Sequence, residues 1–138
     1  MMADAKIVKL EIPSSAQFVN VARKTVEGIA ASMALTDEQT EDLKLAVGEA
    51  CANAVKFSDP SKPAVEILYR ITQDRLEVEV RNKGKAFDPK KVQQKEQSPE
   101  QLPVGGLGLF LIDKVMDELN ISSKCGETTL KMVKQLKR

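Results

Sequence analysis

Glu49 and Asn53 stand four residues apart inside Glu41–Val55, a stretch whose apolar residues recur at helical spacing. On a helix such a pair stacks one above the other. Leu43, Val47, Ala50 and Ala54 define the buried direction, with Ala46 and Phe57 beside it. Glu49 and Asn53 fall roughly 80–120° away from that direction, and Asp42 lies on the same flank. A carboxylate there can accept a proton, and an amide oxygen is a hard ligand for a cation; at a core boundary both can meet a ligand. The same placement also describes an ordinary solvated helix edge. A second candidate is Gly105-Gly106-Leu107-Gly108, directly before an apolar run. Backbone N–H groups at a helix start, together with the helix dipole, suit an anion such as phosphate. The other reading of these glycines is a flexible loop and a tight start to a helix. Gly84, just past a strand-like stretch, would let backbone approach a ligand closely. No G-x-x-x-x-G-K-[ST] occurs, so a P-loop is excluded.

Composition narrows the chemistry further. The chain has no histidine, which rules out a Ser-His-Asp triad, a histidine metal site and a phosphohistidine within it. Cys51 and Cys125 are far apart and form no C-x-x-C, the usage of a reducing compartment. Cys51 falls near the apolar helix face and reads as inert packing. Lys and Arg number 21 against 20 Asp and Glu, so neither nucleic acid nor an anionic membrane is expected as a partner. No apolar run approaches the roughly 18–20 residues that span a bilayer, and Met1–Lys9 lacks a signal-peptide core. A cytoplasmic location is expected. The 138 residues correspond to a single domain, 1–138, large enough to bury a core without staples.

The elements that must position these residues follow from periodicity and caps, in the order βααββαββ. Val8, Leu10 and Ile12 alternate with Lys9 and Glu11 in a strand ended by Pro13. Ser14 with Gln17 predicts a capping box for a helix carrying Phe18, Ala22, Val26, Ile29, Ala30 and Met33 on one face. Thr36 with Gln39 predicts a second box, opening a helix to about Phe57, where Ser58-Asp59-Pro60 stops it. Strands over Val65–Thr72 and Leu76–Arg81 are joined by Gln73-Asp74 as a hairpin. The stretch Asp88–Val104 holds three of the six prolines and few apolar residues, and reads as a mobile loop. Leu107–Met116 predicts an apolar helix, and Leu119–Lys124 and Thr128–Leu136 a final strand pair about Cys125-Gly126-Glu127. Lys131, Lys134, Lys137 and Arg138 read as a solvated strand end.

Three pieces occur in order: Glu49-Ala50-Cys51-Ala52-Asn53-Ala54-Val55, then a strand into Asn82-Lys83-Gly84, then Gly106-Leu107-Gly108. This order resembles the N, G1 and G2 boxes of Bergerat-fold ATPases, the superfamily of DNA gyrase, MutL and histidine kinases. Glu41–Val55, Gly105–Ile112 and Met116-Asp117-Glu118 are most similar to the small anti-sigma-factor serine kinases of the RsbW and SpoIIAB type, and the resemblance covers essentially the whole chain. It implies an α+β, two-layer sandwich with a mixed, mostly antiparallel sheet and helices on one face. It also implies ATP and Mg²⁺ as cofactors, with Asn53 as the metal ligand and Glu49 as the catalytic base toward a serine hydroxyl. Asn82 and Gly84 would form the adenine side, with Thr128 near the base. Gly105, Gly106, Leu107 and Gly108 would lie at the phosphates, under a lid of about residues 88–104.

Two departures from the family pattern stand out. The G1 box usually begins with an aspartate that accepts from the adenine amino group, and here the position is Asn82. A neutral acceptor gives up ~1 kcal/mol against a charged one, so Asn82→Asp is expected to tighten ATP binding. Val104 brings no charge just before the glycines, so a cation at the γ-phosphate must come from elsewhere, with Lys83, Lys85 or a lid lysine as candidates. The function implied is an anti-sigma factor and serine/threonine protein kinase that phosphorylates a STAS-domain anti-anti-sigma protein. A sigma factor and a homodimer partner complete the expectation. The competing readings are a non-catalytic ATP-binding adaptor of a partner-switching module and the catalytic half of a split histidine kinase.

Overall fold

Alternation of apolar and charged residues is realised as a five-stranded sheet with one face under helices. The computed structural model describes residues 5–59, 61, 64–83 and 106–136, with only the backbone described at 106 and 107. Strand β1 (Lys6–Pro13) is followed by a 3₁₀ turn (Ala16–Phe18), α1 (Val19–Ser32) and α2 (Asp37–Lys56). Then come β2 (Ala64–Ile71), β3 (Arg75–Lys83), α3 (Gly106–Val115), β4 (Glu118–Lys124) and β5 (Glu127–Gln135). The sheet order is β1-β2-β3-β5-β4. All four pairings are antiparallel, so the expected mostly antiparallel sheet has no parallel pair among the described residues. Residues 88–104, expected as the lid, lie outside the described residues, as do Gly84 and Gly105.

The inward face carries Ile12, Val65, Ile67, Tyr69, Leu76, Val78, Val80, Leu130 and Met132, which join Val26, Leu43, Val47 and Ile112 of the helices in one core. Tyr69 is fully buried, and its hydroxyl donates to the Ala22 carbonyl oxygen at 3.0 Å, fixing α1 on β2. Burial of Cys51 pushes its thiol up to about 12, in keeping with inert packing. The outward face is laced with charge: Glu79 accepts from Arg70 and Arg81, each at 2.7 Å, and Lys131 pairs with Glu77 at 3.1 Å.

The predicted helix starts fare differently. At α2 both arms of the box form, Gln39 N–H to Thr36 Oγ1 at 3.0 Å and Thr36 N–H to Gln39 Oε1 at 2.9 Å. At α1 the Ser14 box does not form. The 3₁₀ turn intervenes, Phe18 takes the cap position without a side-chain bond, and the Ser14 hydroxyl lies 3.5 Å from the Val55 carbonyl oxygen. The 3₁₀ turn and the Ser14–Val55 contact stand where the local box was expected, a tertiary environment overriding a local preference. The Gln73-Asp74 hairpin is present, closed by Thr72 N–H to the Arg75 carbonyl oxygen at 3.1 Å. No helix among the described residues is long and apolar enough to cross a membrane.

Candidate nucleotide site along helix α2

Glu49 and Asn53 occupy successive turns on the flank of α2 that faces α3. Asn53 is buried, 8% exposed, and Glu49 half-buried. Helix α3 brings Gly108 directly onto this pair. A Cβ added to Gly108 would stand 3.0 Å from Glu49 Oε2 and 3.5 Å from Asn53 Nδ2. The missing side chain at Gly108 leaves the Glu49 carboxylate and the Asn53 amide free to rest against α3. The carboxylate, the amide and the start of α3, separate in sequence, therefore form one cluster. Gly106 and Leu107 open the first turn of α3 beside it.

One turn past Asn53, α2 ends at Phe57, whose N–H donates to the Asn53 carbonyl oxygen at 3.0 Å. Its own carbonyl oxygen receives Asn82 Nδ2 at 3.5 Å, and the same Nδ2 lies 3.3 Å from the Lys83 carbonyl oxygen. The Asp59 N–H to Lys83 carbonyl bond, 2.7 Å, holds the end of α2 against the end of β3. Asn82 and Thr128 are cross-strand partners on β3 and β5, and both are buried. Glu49, Asn53 and the Phe57 carbonyl thus follow one another at i, i+4 and i+8, a span of about 12 Å along the helix. The Asn82–Thr128 pair closes one end and Gly108 the other.

Asn82 plays a part that its sequence position did not announce. Its amide group is a donor to two main-chain carbonyls. An aspartate would set a carboxylate oxygen against those carbonyls in a position only 5% exposed. Leaving a buried polar group unsatisfied costs about 1–3 kcal/mol, at least as much as the gain expected from a charged acceptor for adenine. Asn82→Asp therefore carries a cost to the fold alongside the charged acceptor it would offer to adenine. The Phe57 carbonyl was missed, although its i+8 spacing from Glu49 is visible in the chain.

Lys134 was misread as solvated. Its side chain is 15% exposed, and Nζ lies 3.1 Å from Asp42 Oδ2 and donates to the Val115 carbonyl oxygen at 2.6 Å. The available signal was parity: Thr128, Leu130, Met132 and Lys134 alternate along β5 on the face that points at the helices. Lys83, a candidate cation for the γ-phosphate, pairs with Glu127 at 3.0 Å at the Asn82 end, away from Gly108. Among the described residues no cluster of acidic or cysteine ligands could hold a metal ion by itself.

The histidine kinase-like ATPase domain model matches residues 12–134. The chain belongs to the histidine kinase-like ATPase family. Within it, the chain sits among the RsbW serine-protein kinases. It is 37% identical to serine-protein kinase RsbW of Bacillus velezensis, over 99% of this chain and 89% of that one. It is 32% identical to the RsbW of Staphylococcus aureus, over 100% of this chain and 92% of that one. The fold is similar to that of the RsbU and RsbW domains of a Mycobacterium tuberculosis protein, with a TM-score of 0.73 at 14% identity, covering 96% of this chain and 33% of that chain. It is also similar to a chain of the SiaB–SiaC complex of Pseudomonas aeruginosa, with a TM-score of 0.69 at 14% identity, covering 91% of this chain and 88% of that chain. Membership in this ATPase family implies ATP binding.

Proposed function

We propose that the chain is an anti-sigma factor and ATP-dependent protein kinase that phosphorylates a serine or threonine of a STAS-domain anti-anti-sigma protein in the cytoplasm. The observation that carries this reading is the order of groups along α2. Asn82 and Thr128 offer polar atoms for an adenine edge at one end. Asn53 follows in the middle, and Glu49 with Gly108 stands at the far end. That order matches a nucleotide laid from base to triphosphate, with the acceptor hydroxyl beyond it.

The donor set fits Mg²⁺. This ion keeps several waters and takes few protein ligands, so one amide oxygen from Asn53, with the nucleotide's phosphates, suits it better than an all-protein cage. When bound, Mg²⁺ neutralises phosphate charge during transfer. The chain's own residues do the rest. Asn53 orients the phosphates from the middle of the α2 stripe. The backbone at the start of α3, including Gly106, Leu107 and Gly108, presents N–H groups and the positive end of the helix dipole to them. Glu49 Oε2, held against Gly108, accepts the proton of the attacking hydroxyl. With no histidine in the chain, a carboxylate is the available base. Gly84, Gly105 and residues 88–104 complete this proposal as the adenine-side turn, the phosphate loop and the lid. The relatives named above are serine-protein kinases, and one neighbour comes from a two-protein complex, which supports a protein substrate and a switch of partners. A phosphate adds about 1.5–2 negative charges and breaks the complex with the substrate, freeing the kinase for its sigma factor. A homodimer is part of the same reading.

The test is transfer of label from γ-labelled ATP to a cognate STAS-domain protein. The wild-type chain labels a serine or threonine, and Glu49→Gln lowers the rate at least about 100-fold, the contribution of a positioned base, while ATP still binds. Binding of ATP and of the STAS protein without transfer by the wild type would replace this reading with the adaptor.

A further inference from the structure

Asp42, Glu49 and Asn53 project from α2 within about 40° of one another, in one stripe. Helix α3 runs antiparallel along that stripe, with Gly108 at Glu49 and Asn53 and its last residue, Val115, at the Asp42 end. Lys134 joins Asp42 to Val115: one ammonium group binds the carboxylate of α2 at 3.1 Å and the terminal carbonyl of α3 at 2.6 Å. Two further bonds tie the same end to β5, Asp117 N–H to the Val133 carbonyl oxygen at 2.9 Å and Gln135 N–H to Asp117 Oδ2 at 2.6 Å. These two secure only the chain beyond the helix. Lys134 alone among them grips the helix itself and the neighbouring helix together. A cation at a helix C-terminus is also favoured by the dipole.

We propose that Lys134 is a positioning residue for the phosphate end of the site, holding α3 at the axial height at which Gly108 meets Glu49 and Asn53. A helix rises 1.5 Å per residue, so slippage of a fraction of a turn breaks the close contact at Gly108 and moves the N–H groups at the start of α3. Apolar packing of Leu109, Ile112 and Met116 seats α3 on the core, and a directional bond at its last residue adds a fixed axial reference to that packing. The effect of Lys134 passes through the link it makes between α2 and α3, from the Asp42 carboxylate to the Val115 carbonyl. The inference rests on the reading that this end receives the phosphates.

The experiment compares ATP with adenosine, which shares the base and lacks the phosphates, by calorimetry on the full chain. Lys134→Met is expected to weaken Mg-ATP binding about tenfold and to leave adenosine within twofold, while Lys134→Arg, which keeps the charge, recovers most of the ATP affinity. A merely structural lysine predicts equal loss for both ligands, and that result, or no loss for either, overturns the proposal. Where Lys134→Met does not fold, Asp42→Ala decides: ATP weakened threefold or more with adenosine unchanged supports it, and parallel or absent changes overturn it. A wild type that binds ATP no better than adenosine marks failure of the phosphate-end reading itself.

Discussion

At the scale of the residue, contact distance separates function from stability at Gly108. A methyl group there would press on Glu49 Oε2 at 3.0 Å, the free end of a flexible side chain. Glu49 can swing aside by a few tenths of an ångström, so the fold survives. Replacing a helical glycine by alanine also gains about 0.5–1 kcal/mol of helix stability. Gly108→Ala is therefore expected to keep or raise the melting temperature and to lower phosphoryl transfer at least about tenfold, because a displaced base is a poor one. A thermal melt beside a transfer assay checks this; unchanged transfer would separate Gly108 from the base. The Glu49–Asn53 pair was legible in the chain because i, i+4 stacking is a local property of a helix. Its contact with Gly108 was not, because it depends on where a helix more than fifty residues later comes to rest.

Among the elements, the β4–β5 hairpin shows what local signals leave open. The predicted turn about Cys125-Gly126 is present, and both residues take positive φ, 54° and 75°. Two positive φ values in a two-residue loop define a turn that favours Asn-Gly. For glycine this costs nothing, whereas a cysteine in the left-handed region pays about 1–2 kcal/mol. Cys125→Asn is expected to stabilise the protein by about 0.5 kcal/mol, since asparagine tolerates this conformation better. Equilibrium denaturation in urea measures it, and a lower midpoint would contradict the assignment. The two capping boxes make the complementary point. Thr36–Gln39 forms both arms of its box, while at Ser14 a 3₁₀ turn follows and the hydroxyl faces the Val55 carbonyl of α2 instead.

For the whole molecule, near-balance of charge conceals an organised outer sheet face. Burial pushes the Glu79 carboxyl up, but hydrogen bonds from Arg70 and Arg81 and the attraction of their charges outweigh it and hold the group below its ordinary value of 4.5. A carboxylate with a lowered folded-state value binds protons more readily when the chain is unfolded. Its stabilising contribution is complete above about pH 4.5 and is lost as the pH falls through the lower folded value. Stability is expected to be flat near neutrality and to drop below about pH 4.5, with a shallower drop in Glu79→Gln. Melting curves across pH 3–8 test this; an equally steep acid limb in the variant would assign the loss to other carboxylates.

Periodicity and caps are properties of a few consecutive residues, so the sequence by itself determined the element order, the inward faces of the strands and the α2 flank that bears Glu49 and Asn53. The likeness of three short motifs to known ATPases supplied the family. Tertiary structure alone decided which groups meet across long separations: Gly108 with Glu49, Asn82 with the Phe57 carbonyl, and Lys134 with both Asp42 and Val115. The reason is physical. A side chain's direction follows from local backbone geometry, but its partner and its exposure to water are set by what the rest of the chain packs against it.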